Sequence, residues 1–104
     1  MNFRIDEVLA DMVKAMEDSV GEDVSDIAEY ARKILENEKE SLAELARARI
    51  DENIDEEDFG REIEREMKVV EAELLTIKIM TKAAAEQAIN AAVNVFLDAV
   101  NRIL

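Results

Sequence analysis

The chain of 104 residues contains no cysteine, histidine, proline or tryptophan, and only two glycines, one tyrosine and three phenylalanines. Each absence closes off a class of chemistry. Without cysteine there is no disulfide framework, no thiolate metal site and no thiol nucleophile. Without histidine the commonest general base and the commonest transition-metal ligand are both missing. With no proline and almost no glycine, little interrupts a helix, and the abundance of Ala, Glu, Leu, Ile, Arg and Lys favours helices over any sheet. Also missing are a phosphate-cradling glycine loop and the strand–Ser–helix elbow of hydrolases. The expectation is a protein that is not an enzyme and carries no cofactor.

Positive charge is scarce as well. Thirteen Lys and Arg stand against 26 Asp and Glu, for a net charge of −13. Nucleic acid and anionic membrane surfaces are both held by clustered Lys and Arg, so neither is an expected partner. A solvated acidic surface comes first; a basic protein is the partner class that the charge favours. No uncharged apolar run approaches the roughly 18 residues of a membrane span. The opening MNFRIDEVLADMVKAMED brings acids from its sixth residue and has no apolar run, so it does not read as a signal peptide. The cytoplasm is the expected location.

Apolar residues recur at helical spacing along three segments, predicted at about 4–20, 24–53 and 56–104 of a single all-helical domain. The first is marked by Ile5, Val8, Leu9, Met12, Val13 and Met16, with Gly21 placed as its C-terminal residue. In the second, Asp23 or Ser25 is the cap, and the stripe runs Val24, Ile27, Ala31, Ile34, Leu35, Leu42, Leu45, Ala46, Ile50. The third begins behind Asp55, whose side chain is placed to accept from free backbone N–H groups. Glu56, Glu57 and Asp58 suit the positive end of the helix dipole. A continuous helix from there to the end would be roughly 70 Å long at 1.5 Å per residue. A compact domain of this size has a radius of gyration near 13 Å. Either that helix breaks, near the sequence IMTK, or the molecule is elongated.

The elongated form is a long antiparallel hairpin whose short N-terminal helix continues the first arm after a bend. Reversal at Ile54–Asp55 sets Leu45 against Ile63, Leu35 against Leu74, Met12 against Phe96 and Leu9 against Val100. The rival is a three-helix bundle with the first helix folded across the others. The closing stretch AAAEQAINAAVNVFLDAVNRIL bears on the choice. Its polar residues Glu86, Gln87, Asn90, Asn94, Asp98, Asn101 and Arg102 fall in one narrow stripe, and the rest of its circumference is apolar. Surface helices of soluble proteins carry an apolar stripe somewhat over 100° wide. This surplus predicts self-association as a homo-oligomeric helical bundle with coiled-coil-like packing, most simply a dimer.

Polar residues on apolar stripes are the candidate sites. Glu38 lies between Leu35 and Leu42, at the level of Val70 to Glu73 in the hairpin register, and Glu66 and Glu73 flank the third helix's stripe. Facing carboxylates in a bundle are the raw material of a di-metal site, but the usual Glu-x-x-His element cannot form without histidine. What remains is an all-carboxylate site for Mg²⁺, Mn²⁺ or Ca²⁺, set against ion pairing or solvation of the same acids. The turn IDENIDEEDFG places Asp51, Asn53, Asp55 and Glu62 at EF-hand spacing, but Glu56 stands where that loop needs glycine, so helix capping is the stronger reading. No metal or catalytic residue is therefore assigned. The leading expectation is a non-enzymatic, self-associating helical-bundle protein with a structural or protein-interaction role. A carboxylate-rich metal-binding bundle and an acidic decoy that mimics nucleic acid are the alternatives.

Overall fold

In the computed structural model, residues 3–20, 27–76 and 81–104 are described. They form five α-helices and, among the described residues, no strand: α1 (Ile5–Val20), α2 (Ile27–Asn37), α3 (Lys39–Ile50), α4 (Glu56–Leu74) and α5 (Lys82–Ile103). The caps placed at Gly21, Asp23 and Ser25 lie outside the described residues.

Each helix buries one apolar face, which in α5 is turned from the expected line through Ala84, Val95, Ala99 and Ile103 toward Ala85, Ile89, Phe96 and Val100. In α1 the buried residues are Val8, Leu9, Met12, Val13 and Met16; in α2, Ile27, Ala31, Ile34 and Leu35. In α3 they are Leu42, Ala43 and Ala46, and in α4, Phe59, Ile63, Met67, Val70 and Leu74. In α5 they are Ala85, Ala88, Ile89, Ala92, Phe96 and Val100. No polar or charged side chain is buried among the described residues. Removing this apolar surface from water is the main driving force for the fold.

The helix expected over 24–53 divides at Glu38, whose backbone sits at φ −101°, ψ 2°. Its N–H reaches back three residues to the Leu35 carbonyl, while its own carbonyl accepts from the Leu42 N–H. The ladder therefore tightens for one step and resumes, and α2 and α3 form one bent arm. At its far end Arg49, Ala48 and Arg47 carbonyls accept from Glu52, Asn53 and Asp51 N–H groups. Glu52 adopts φ 61° there. This is the Schellman closure, in which the residue after the C-cap turns left-handed to satisfy orphan carbonyls.

The expected 70 Å rod does not form. α4 ends at Leu74, the Thr76 hydroxyl and N–H turn back on the Glu73 carbonyl, and α5 starts at Lys82 behind Thr81. The Thr81 hydroxyl accepts from the Ala84 N–H at 3.1 Å. This separation lets α5 pack against α4; of the IMTK stretch, Ile79 and Met80 lie outside the described residues. The molecule measures 40 × 23 × 19 Å with a radius of gyration of 13.3 Å.

The arrangement is a bundle of four arms rather than a two-armed hairpin. α1 runs antiparallel to α2, with Asp6 paired to Lys39 and Val13 close to Arg32. α3 packs on α4, and α4 on α5, where Phe59 near the start of α4 stacks on Phe96 in the later half of α5. α1 packs most extensively on α5 and closes the ring. Phe96 is the hub at one end. Its ring meets Phe3 edge-on at 6.0 Å and stacks with Phe59 at 6.1 Å, so it does not take the expected place opposite Met12 alone.

Two arms of the same chain, α1 and α4, pack against α5 and cover part of its apolar surplus, while Val93, Val95, Leu97 and Ala99 stay half-exposed.

Candidate functional site

Two features stand out from the apolar bundle: a carboxyl pair where the bent arm crosses α4, and an open groove between α4 and α5.

Glu38, at the α2–α3 bend, and Glu66, on α4, present their carboxyl groups to one another; both are half-buried. The hairpin register had set Glu38 against Val70 to Glu73, so the true pairing lies about a turn nearer the start of α4. A hydrogen bond with Glu66, then burial, then repulsion by the Glu66 charge push the Glu38 carboxyl up to about 7. Two carboxylates share such a bond only when one of them holds a proton, which is the physical source of the shift. Glu38 is also the residue before α3, but its side chain makes no capping hydrogen bond there. Glu73, the third carboxylate considered for a metal site, lies two turns further along α4, roughly 10 Å at 1.5 Å per residue. Among the described residues no three Asp or Glu side chains come together in a metal-holding group.

The acidic turn is a helix cap. Asp55, at φ −83°, ψ 172°, accepts from the Asp58 N–H at 2.8 Å. Asp58 in turn pairs with Arg61 at 2.6 Å, and Glu62 with Arg65 at 3.5 Å. Of the residues spaced like an EF-hand, Asp51 and Asn53 close α3, Asp55 caps α4, and Glu62 pairs along it.

The groove between α4 and α5 has a volume of about 410 Å³. Ile63, Met67, Ile89, Val93 and Leu97 supply its apolar wall, and Glu64, Lys68, Glu71 and Asn90 its polar edge. Ile63, Met67 and Ile89 are buried; Val93 and Leu97 remain half-exposed. Gly60 lies at one end. A Cβ added to Gly60 would meet nothing within 4 Å, so no neighbour within the chain requires a glycine there. A glycine in a helix interior is less favourable than alanine by roughly 0.5–1 kcal/mol. Among the described residues no packing contact offsets that cost. Leu75, 40% exposed, continues the line of Gly60, Glu64, Lys68 and Glu71 at helical spacing. The sequence reading missed this groove because it placed α4 and α5 end to end; the polar stripe at Asn90 and the lone Gly60 were its only advance signs.

Among the described residues no helix is long and apolar enough to cross a membrane. Comparison with protein-family models, curated proteins and solved structures finds no match to this chain.

Proposed function

We propose that the protein is a non-enzymatic helical bundle whose role is to dock against other protein surfaces, copies of itself included. The observation that carries this reading is the α4–α5 groove, where half-exposed Val93 and Leu97 meet a glycine that the chain's own packing does not need. Apolar grooves between helices that receive a partner helix are a recurring recognition mode. Among the described residues the buried core is apolar, which supports a scaffold rather than a reaction centre.

Self-association, most simply a dimer, would use the same strip. Each copy carries −13, so repulsion opposes the pairing and added salt relieves it. Light scattering across protein concentration and ionic strength is the test. A dimer that strengthens with salt supports self-association. A lone species throughout, together with no protein captured through the α4–α5 face, counts against the docking reading.

The metal-binding alternative draws on the Glu38–Glu66 pair, which offers oxygen ligands on two different arms. It predicts a melting temperature raised by Mg²⁺, Mn²⁺ or Ca²⁺ and lowered by EDTA, and an unchanged melt removes it. The nucleic-acid-mimic alternative rests on the surplus of carboxylates. It requires salt-sensitive binding to a basic nucleic-acid enzyme.

A further inference from the structure

We infer that the α4–α5 groove receives an amphipathic helix, rich in Lys and Arg, from another protein. This rests on the docking reading and names the occupant.

Shape supplies the first part of the argument. From Gly60 to Glu71 the groove runs twelve residues along α4, about 16 Å over the eleven rises of 1.5 Å between them, or three helical turns. That length matches a partner helix presenting apolar residues at i, i+4, i+7 and i+11 to Met67, Val93 and Leu97. The missing side chain at Gly60 leaves one end of the groove open to a backbone approaching closely.

Charge decides between a foreign helix and a second copy. Glu64 and Glu71 edge the groove, and helical spacing continues its two rims with the exposed Glu57 and Glu86. Arg61 pairs with Glu57 and Asp58 and Lys68 with Glu64, which cancels part of this charge. But Glu57, Asp58, Glu64, Glu71 and Glu86 together outnumber Arg61, Lys68 and Lys82, the last one turn before Glu86 on α5. The rim is therefore acidic, on a chain that is itself at −13. A second copy would bring the same acidic rim and the same net charge. A helix flanked by Lys and Arg would meet complementary potential along both edges, which favours encounter and fixes register.

The test uses the full chain and a fluorescein-labelled 18-residue Leu/Lys peptide with leucines at i, i+4, i+7 and i+11, read by fluorescence anisotropy. A Leu/Glu peptide with the same apolar face is the control. The Leu/Lys peptide is expected to bind, to lose at least tenfold in affinity between 50 and 300 mM salt, and to lose at least tenfold with Val93→Glu or Gly60→Trp. Glu17→Gln, on α1, is expected to change binding less than twofold. Circular dichroism melts establish that each variant is folded. Equal binding of the Leu/Glu peptide overturns the inference, as does binding indifferent to Val93→Glu and Gly60→Trp, which is adsorption to a charged surface. If the peptide fails to bind but light scattering finds a dimer that Gly60→Trp dissolves, the occupant is a second copy. This inference then falls while the docking reading stands. If neither peptide nor copy engages the groove, both fall.

Discussion

Glu38 and Glu66 share a proton-dependent contact across the seam between the bent α2–α3 arm and α4. Two carboxyl groups held together cannot both ionise without repulsion, and burial adds to the cost. The Glu38 carboxyl therefore holds its proton up to about 7, against 4.5 for the free group.

The sign of the pH effect follows. Between 4.5 and about 7 the folded protein binds this proton more tightly than the unfolded chain, so the pair's contribution to stability falls as pH rises through that window. Glu38→Gln keeps a hydrogen-bonding side chain and removes the charge. It is expected to raise the melting temperature at pH 8, to leave it little changed at pH 4.5, and to flatten the profile between. Thermal melts of both proteins from pH 4.5 to 8 check this, and parallel profiles would dispose of the coupling.

Glu52 closes α3 at φ 61°, a conformation in which a residue with a Cβ is strained. Left-handed backbone costs an L-residue roughly 1–2 kcal/mol, and glycine adopts it freely. Glu52→Gly is accordingly expected to stabilise the protein by about 1 kcal/mol, less the extra entropy glycine gives the unfolded chain. Glu52→Val should destabilise it, because β-branching makes positive φ worse. Urea melts of the two variants read the difference; stabilisation by valine would show that the turn is not left-handed.

Asp55 holds the start of α4 through the Asp58 N–H and stands beside the positive end of the helix dipole. Asp55→Ala is expected to cost about 0.5–2 kcal/mol, with Asp55→Ser or Asp55→Asn recovering most of it. An EF-hand-like role predicts a different pattern: loss of a Ca²⁺-dependent shift in the melt. Melts with and without Ca²⁺ tell the two apart.

Phe96 is 1% exposed and joins Phe3, ahead of α1, and Phe59, in the first turn of α4, to the later half of α5. Phe96→Ala is expected to cost about 3–5 kcal/mol. That is a large share of the roughly 5–15 kcal/mol that stabilises a small domain. Phe96→Leu should be milder, since it leaves a smaller cavity. The edge-on contact with Phe3 adds a specific test: Phe3→Ala and Phe96→Ala together should cost less than the sum of the two alone. Strict additivity would break the link between them.

Gly60→Ala isolates the cost of an unneeded glycine. With open space around the added methyl, the variant is expected to gain about 0.5–1 kcal/mol. A loss of stability instead would mean that Gly60 has a packing role within the chain.

The helices were legible in the amino-acid order because helix formation is largely local. Spacings of three and four placed Met12, Leu35, Met67 and Ala88 on buried faces, and the Asp55 cap followed from a residue and its next three neighbours. The absence of histidine and cysteine excludes imidazole and thiolate chemistry from the amino-acid order alone. A stripe states that a face will be covered and not by what. Whether α5 prolongs α4 or folds back on it turns on closing a short connection, whose entropic cost grows only slowly with length, against burying two faces of an apolar helix. That choice set Phe96 between Phe3 and Phe59, moved Glu38 from Glu73's level to Glu66, and opened the groove beside Gly60. Those relationships join residues tens of positions apart in the chain, and only packing in three dimensions brings them together.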